Sequence, residues 1–309
     1  MTINSDDQRA SDALEIRLRT ILPLEYQDCY DDVQPLSMGS SGLKYGSDGK
    51  VAWNEIWATF CDLAMAGGPP HKGTLLEPGS QVEIDAHYGR YQQVVKEICR
   101  GVTMVTDLLA EASPVPGWVR VNCANHEMAG WLVRAIVMEN VSACFEGTSL
   151  DLPAGPGYRI EKEIKNVVTV IAKTCHYWQG HMWPGQQEVI AGLFAEIEAE
   201  FPLVQPALSG HDFPTDRHQI LIGKMAETIH QLTGLGSSSH QYAGWLGVVC
   251  PDVRAAIWIM RAMVVSNILS RREGTVVFMP VNPATDPEGE TVVRLLARIH
   301  GIASARHIL

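Results

Sequence analysis

The chain has 309 residues, with 24 Lys+Arg against 35 Asp+Glu and a formal net charge of −11. Apolar residues make up 46% and charged residues 19%, a composition that buries a core and excludes a disordered chain. An acidic chain whose longest basic run is Arg271-Arg272 also excludes a nucleic-acid backbone as main partner, since that needs basic clusters to displace counterions.

The length suits one large domain or two of ordinary size. The N-terminus carries Asp6, Asp7 and Arg9 with no apolar run, so no secretory signal is expected. No stretch approaches 18 apolar residues, so no membrane span is expected either. The cysteines are Cys29, Cys61, Cys99, Cys123, Cys144, Cys175 and Cys250, an odd, scattered set without CxxC. That pattern points to a reduced, cytoplasmic protein rather than a disulfide framework.

In chain order, a helix is expected near residues 8–21 and a loop from Pro35 through Gly46. Trp53 opens a helical pattern that Pro70 closes. Val94, Val95, Ile98, Val102, Val105 and Leu109 recur at helical spacing. Trp118–Cys123 alternates as a strand does. Asn125 then reads as the N-cap of a largely buried helix running to Val141. Thr148–Pro153 reads as a short strand, and the prolines and glycines of 153–157 as a turn. Ile160, Ile164, Val167, Val168 and Ile171 resume a helix.

A shift of 127 residues lays Gly117-Trp-Val-Arg-Val-Asn-Cys123 over Gly244-Trp-Leu-Gly-Val-Val-Cys250. Residues 117–156 share 15 identities in 40 positions with 244–283, where ordinary composition gives roughly two or three. Kept in both are Trp131/Trp258, Arg134/Arg261, Asn140/Asn267 and Glu146-Gly-Thr148/Glu273-Gly-Thr275. The match weakens upstream, where Arg90 falls on Arg217 and Trp183, with Pro202, echoes Trp53 with Pro70. The expected fold class is α/β or α+β: two tandem copies of one helix-helix-strand-helix-strand-helix unit in a pseudo-twofold arrangement. The expected divisions are an N-terminal extension, 1–44, and repeat units at 45–174 and 175–309. In each, a strand, a crossover helix and a second strand form a βαβ-like unit if the strands share a sheet.

Residues kept in both copies serve the shared scaffold first. The tryptophans read as core anchors. Arg134/Arg261 is expected to pair with Glu146/Glu273, although a buried arginine also suits an anionic ligand. Asn140/Asn267 is expected to bond backbone near the helix end, and Gly147/Gly274 to cap it in a left-handed conformation. Cys123/Cys250 precedes a helix N-terminus, where a thiol can acidify, but a small buried junction residue is the stronger reading.

Residues present in one copy only are freer to serve a site. His126 and Glu127 open the first-copy helix, where free N–H groups suit an anion. They become Val253 and Arg254 in the second copy. His126 is a candidate acid/base with Glu127 as its carboxylate partner, against the plainer reading of a solvated first turn. The loop Ala66-Gly-Gly-Pro-Pro-His-Lys-Gly-Thr74 offers flexible backbone, His71 as a second acid/base, Lys72 as an anion contact and Thr74 as a further polar group. It is not a P-loop, and a ligand loop and an ordinary proline turn stand level. Arg134 completes the candidate anion contacts. Cys175-His176-Tyr-Trp-Gln-Gly-His181-Met-Trp183 gathers candidate metal ligands Cys175, His176 and His181, against a plain packing role at the junction of the copies. Gly234–Tyr242 reads as a lid or linker.

The expectation that emerges is an enzyme acting on a small anionic or metal-bearing molecule near the interface of two duplicated halves. The alternative is a non-catalytic small-molecule-binding or assembly protein acting as a homo-oligomer. No catalytic triad or nucleotide fingerprint stands in order, and the cofactor is left unknown. Neither nucleic acid nor membrane is an expected partner.

Overall fold

The computed structural model describes residues 5–27, 42–56, 62–206, 216–240 and 242–309. The loop expected from Pro35 lies outside the described residues as far as residue 41, and Cys29 and Cys61 lie outside them too. Of the helix expected from Trp53 to Pro70, the described residues form two short 3-10 turns instead, Trp53–Glu55 and Ala64–Ala66. The chain divides into two compact units. Asp32–Trp183 form the first, and Met1–Asp31 join Pro184–Leu309 in the second.

The N-terminal helices α1 (Ser5–Thr20) and α2 (Leu24–Gln27) belong to the second unit. The first unit runs α3 (Gln81–Ala86), α4 (Tyr88–Thr106), β1 (Leu109–Ala112), β2 (Trp118–Asn122), α5 (His126–Met138), β3 (Cys144–Glu146), β4 (Ser149–Pro153) and α6 (Lys165–His176). Its strands make one antiparallel sheet in the order β1-β2-β4-β3. The second unit continues α7 (Pro184–Glu200), α8 (Asp216–Thr233), β5 (Trp245–Val249), α9 (Val253–Val264), β6 (Arg271–Glu273), β7 (Val276–Pro280) and α10 (Glu290–Ala305). Its antiparallel sheet has the order β5-β7-β6. The class is mixed α and β, with helices beside two small antiparallel sheets.

α5 is the centre of the first unit. Asn125 caps it, its side chain accepting from the Met128 N–H at 2.8 Å. Met128 through Met138 are all buried, so the helix is covered on every side. Trp131 has no exposed surface, and its ring centroid lies 5.6 Å from that of Trp178. In the second unit Asp252 caps α9 by the same bond to the Ala255 N–H, also at 2.8 Å. Trp118, Trp245 and Trp258 are buried as expected of core anchors.

Both helices end on an asparagine in the left-handed region, Asn140 at φ 60° and Asn267 at φ 65°. Each side chain donates to a loop carbonyl at 2.8 Å, Asn140 to Lys72 and Asn267 to Phe201. The expected backbone bond near the helix end is therefore present in both units.

Three local expectations are corrected. α4 stops at Thr106 rather than running through Leu109, because Asp107 turns left-handed at φ 59°. Leu109 then opens the exposed edge strand β1. β2 and β4 are neighbours in one sheet but antiparallel, so α5 is not a crossover between parallel strands. The reason is β3. After Asn140 the chain runs out along β3 and returns along β4 through a two-residue hairpin turn. Gly147, at φ 60°, sits in that turn rather than capping a helix. Gly274 at φ 57° plays the same part between β6 and β7. A positive φ at the first turn residue is what such a hairpin asks of glycine.

Candidate functional site

The loop after the 3-10 turn Ala64–Ala66 is drawn tightly against the C-terminal end of α5. Gly67 turns left-handed at φ 96°. Gly68 lies so close to the preceding chain that a Cβ would sit 2.7 Å from the Asp62 carbonyl oxygen, so no larger residue fits. Past Pro69 and Pro70 come His71 and Lys72, half-buried, then Gly73 and Thr74, exposed.

Glu139, the C-cap of α5, has no exposed surface. Its carboxylate accepts backbone N–H bonds from Ala64 at 2.9 Å and His71 at 2.8 Å. It also meets the Lys173 ammonium at 2.7 Å. Lys173 is 1% exposed and stands two turns along α6 from Asn166. The Lys72 N–H donates to the Glu139 carbonyl at 3.2 Å, and Asn140 holds the Lys72 carbonyl. A buried pair of this kind survives only where further hydrogen bonds satisfy the charges, and the two loop N–H groups supply them on the carboxylate side.

His71 closes the arrangement. Its Nε2 lies 3.1 Å from Asn166 Oδ1. Its Nδ1 is buried with no hydrogen-bond partner. Burial pushes the imidazole below its ordinary pKa of 6.5, and the Lys173 charge pushes the same way, against an opposing pull from Glu139. At neutral pH the ring is uncharged. With Nε2–H donating to the Asn166 carbonyl oxygen, Nδ1 carries the free lone pair.

The candidates named from sequence fall into separate places. His71, Lys72 and Thr74 share this loop. His126 and Glu127 open α5, about 20 Å of helix away from Glu139 at 1.5 Å per residue. There His126 Nδ1 lies 3.1 Å from the Gly147 carbonyl, and its ring centroid is 5.3 Å from that of Phe145. Arg134 is fully buried within α5, donating from Nη1 to the Gly130 carbonyl at 2.7 Å. The carboxylate expected to pair with it, Glu146, is exposed, and its charge acts on Arg120. Arg120 itself bridges to the buried Asp151 at 2.8 Å across β2 and β4. In the second unit Arg271 holds Glu273 at 2.6 Å.

Burial pushes the Cys123 and Cys250 thiols up to about 12, opposite to the acidification a reactive thiol needs. Cys175 is 1% exposed and is likewise pushed up by burial. Among the described residues no three His, Cys, Asp or Glu side chains are placed to share a metal ion. Cys175 therefore does not complete a three-ligand set with His176 and His181. Those two imidazoles do meet, Nε2 to Nε2 at 3.1 Å, at the exposed end of α6.

The Asn267 turn of the second unit carries Ser266 where the Asn140 turn carries Glu139. Ser266 lines a cavity of about 180 Å³ with Leu14, Arg17, Ile197, Glu200 and Arg298. Arg298 stands exposed at that cavity. No family model, curated protein or solved structure matches the chain.

Proposed function

We propose that the chain is an enzyme acting on a small anionic molecule, held at the 66–74 loop of the first unit. His71 is the proton acceptor and Lys72 the anion contact. The observation that carries this reading is the His71 Nδ1 lone pair, buried and unpartnered beside a neutral imidazole whose other nitrogen is fixed by Asn166. A general base working near neutral pH needs such a poised, uncharged ring. The Glu139–Lys173 pair is the support on which the loop rests. Nδ1 is shielded from water, so the loop around Gly73 has to yield when substrate enters.

The proposal includes a doubled ancestor for the two units. The shared identities support it, as do the recurring Asn turn and the recurring glycine hairpin. On that reading Glu139 and Lys173 correspond to Ser266 and His300. The charged support then belongs to one copy alone, as expected of machinery added to a common scaffold.

A screen by thermal shift against inorganic phosphate, succinate and citrate tests the reading, since a ligand selective for the folded chain raises its melting point. At least one should stabilise the chain, and Lys72→Ala should abolish that shift. Conversion of the stabilising compound, followed by NMR, should vanish in His71→Gln while binding persists. A shift that survives Lys72→Ala would sink the assignment of the loop.

The cavity at Ser266 favours a second reading, a non-catalytic binding protein. Apolar walls with the exposed Arg298 guanidinium suit a short amphipathic anion. Under that reading Arg298→Ala, not Lys72→Ala, removes the thermal shift.

A further inference from the structure

The end of α6 departs from α-helical geometry. Residues Tyr177–His181 form a π-helical turn, which brings His176 and His181, five residues apart, onto one side of the chain. Such turns cost helix geometry and occur often at functional sites. The two Nε2 atoms stand 3.1 Å apart, with ring centroids 4.8 Å apart and planes at 72°. Both rings are exposed.

We propose that His176 and His181 together chelate a late first-row divalent cation such as Zn2+ or Cu2+ through their Nε2 atoms. Metal–imidazole bonds of about 2.05 Å place two nitrogens about 3.4 Å apart at a tetrahedral angle and about 2.9 Å apart at a right angle. The observed separation falls between these, so a cation can enter with small ring rotations. Imidazole pairs suit zinc, copper and nickel above the hard cations. Exposure leaves the remaining coordination positions to water or to an oxygen of an incoming ligand, so the site is open rather than closed and structural. Cys175 takes no part, being turned into the core. The site does not depend on the reaction at His71 and stands or falls by itself.

The test is calorimetric titration of the full chain with Zn2+ at pH 7.5, followed by electron paramagnetic resonance of the Cu2+ form. One equivalent should bind with Kd on the order of micromolar. His176→Ala and His181→Ala should each weaken it about tenfold or more, and His240→Ala should leave it unchanged. The Cu2+ spectrum should carry the coupling of two nitrogens and lose it in either variant. Both side chains are exposed, so near-ultraviolet circular dichroism of the metal-free variants should match the parent. His176→Gln and His181→Gln replace any alanine variant that does not fold. Absence of zinc binding, or binding by both variants as tight as that of the parent chain, overturns the proposal.

Discussion

Two charges that meet in the core of the first unit, Lys173 and Glu139, look ordinary in the sequence. Lys173 is the one cation in the run Val167–Cys175, and Glu139 ends a helix with eleven buried residues before it. Neither interrupts the apolar periodicity, so each reads singly as a helix-end or surface residue. Their pairing is a tertiary contact with no local signal, and that is why the sequence offers His71 and Lys72 as candidates but not the groups holding their loop. The energetics follow from burial. Lys173→Met leaves a buried carboxylate without its cation and should cost about 3–5 kcal/mol of unfolding free energy. Glu139→Gln should cost a comparable amount. Combining Glu139→Gln with Lys173→Met removes both charges and should cost clearly less than the sum of the two. Urea unfolding of the three variants measures this, and strict additivity would mean the charges do not interact. His71 adds a pH dependence. Its folded pKa lies below 6.5, so on acidification the unfolded chain takes up a proton that the folded chain resists. The unfolded state thus binds more protons in that window, and stability rises with pH across it. His218 and His300 are pushed the same way by burial. His71→Gln should therefore flatten, without abolishing, the slope of stability between about pH 5 and 7. An unchanged slope in denaturant titrations would contradict the burial of the ring.

At the scale of elements, regular helices and the two long strand pairs were legible because their apolar spacing is local. α5 and α9 carry caps three residues before the first bonded N–H, and β2, β4, β5 and β7 carry alternation or β-branched runs. β1, β3 and β6 were not, since three or four residues are too few to show a period. β1 also follows closely on the apolar spacing of α4, and only Leu108 and the left-handed Asp107 separate them. The asparagine turns decide where β3 and β6 begin. Each joins a left-handed backbone to a side-chain bond on a neighbouring loop, a combination glycine meets by half and alanine not at all. Asn140→Gly should lose about 1 kcal/mol for the bond to Lys72. Asn140→Ala should lose that and about 1–2 kcal/mol more for the backbone. The same order should hold at Asn267, whose bond reaches Phe201. Chemical denaturation ranks the variants, and alanine no worse than glycine would mean that backbone conformation is not what asparagine supplies.

At the scale of the whole molecule, the N-terminal helix carries the last lesson. Its existence near residues 8–21 was readable from its apolar spacing, but nothing local says which half it joins, because that depends on a surface more than 160 residues away. In the structure α1 belongs with Pro184–Leu309. Leu14, Leu18, Ile21 and Leu22 are buried, and Gln186 Nε2 donates to the Leu22 carbonyl at 2.6 Å. Arg17 pairs with Glu196 at 2.7 Å, and Arg306 with Glu15 at 2.5 Å. The ion pairs are partly exposed and add little, so burial carries the attachment. Leu18, 1% exposed, is the place to test it. Leu18→Ala should cost about 2–5 kcal/mol through lost burial and the void left behind. The loss should fall on the second unit. Amide hydrogen exchange should quicken in α7 and α10 and stay as in the parent chain for α5 and α6 of the first unit. Equal quickening in both units would mean that they unfold as one. Quickening confined to α1 would mean that the helix is a removable strap, and the core of the second unit would then close without it.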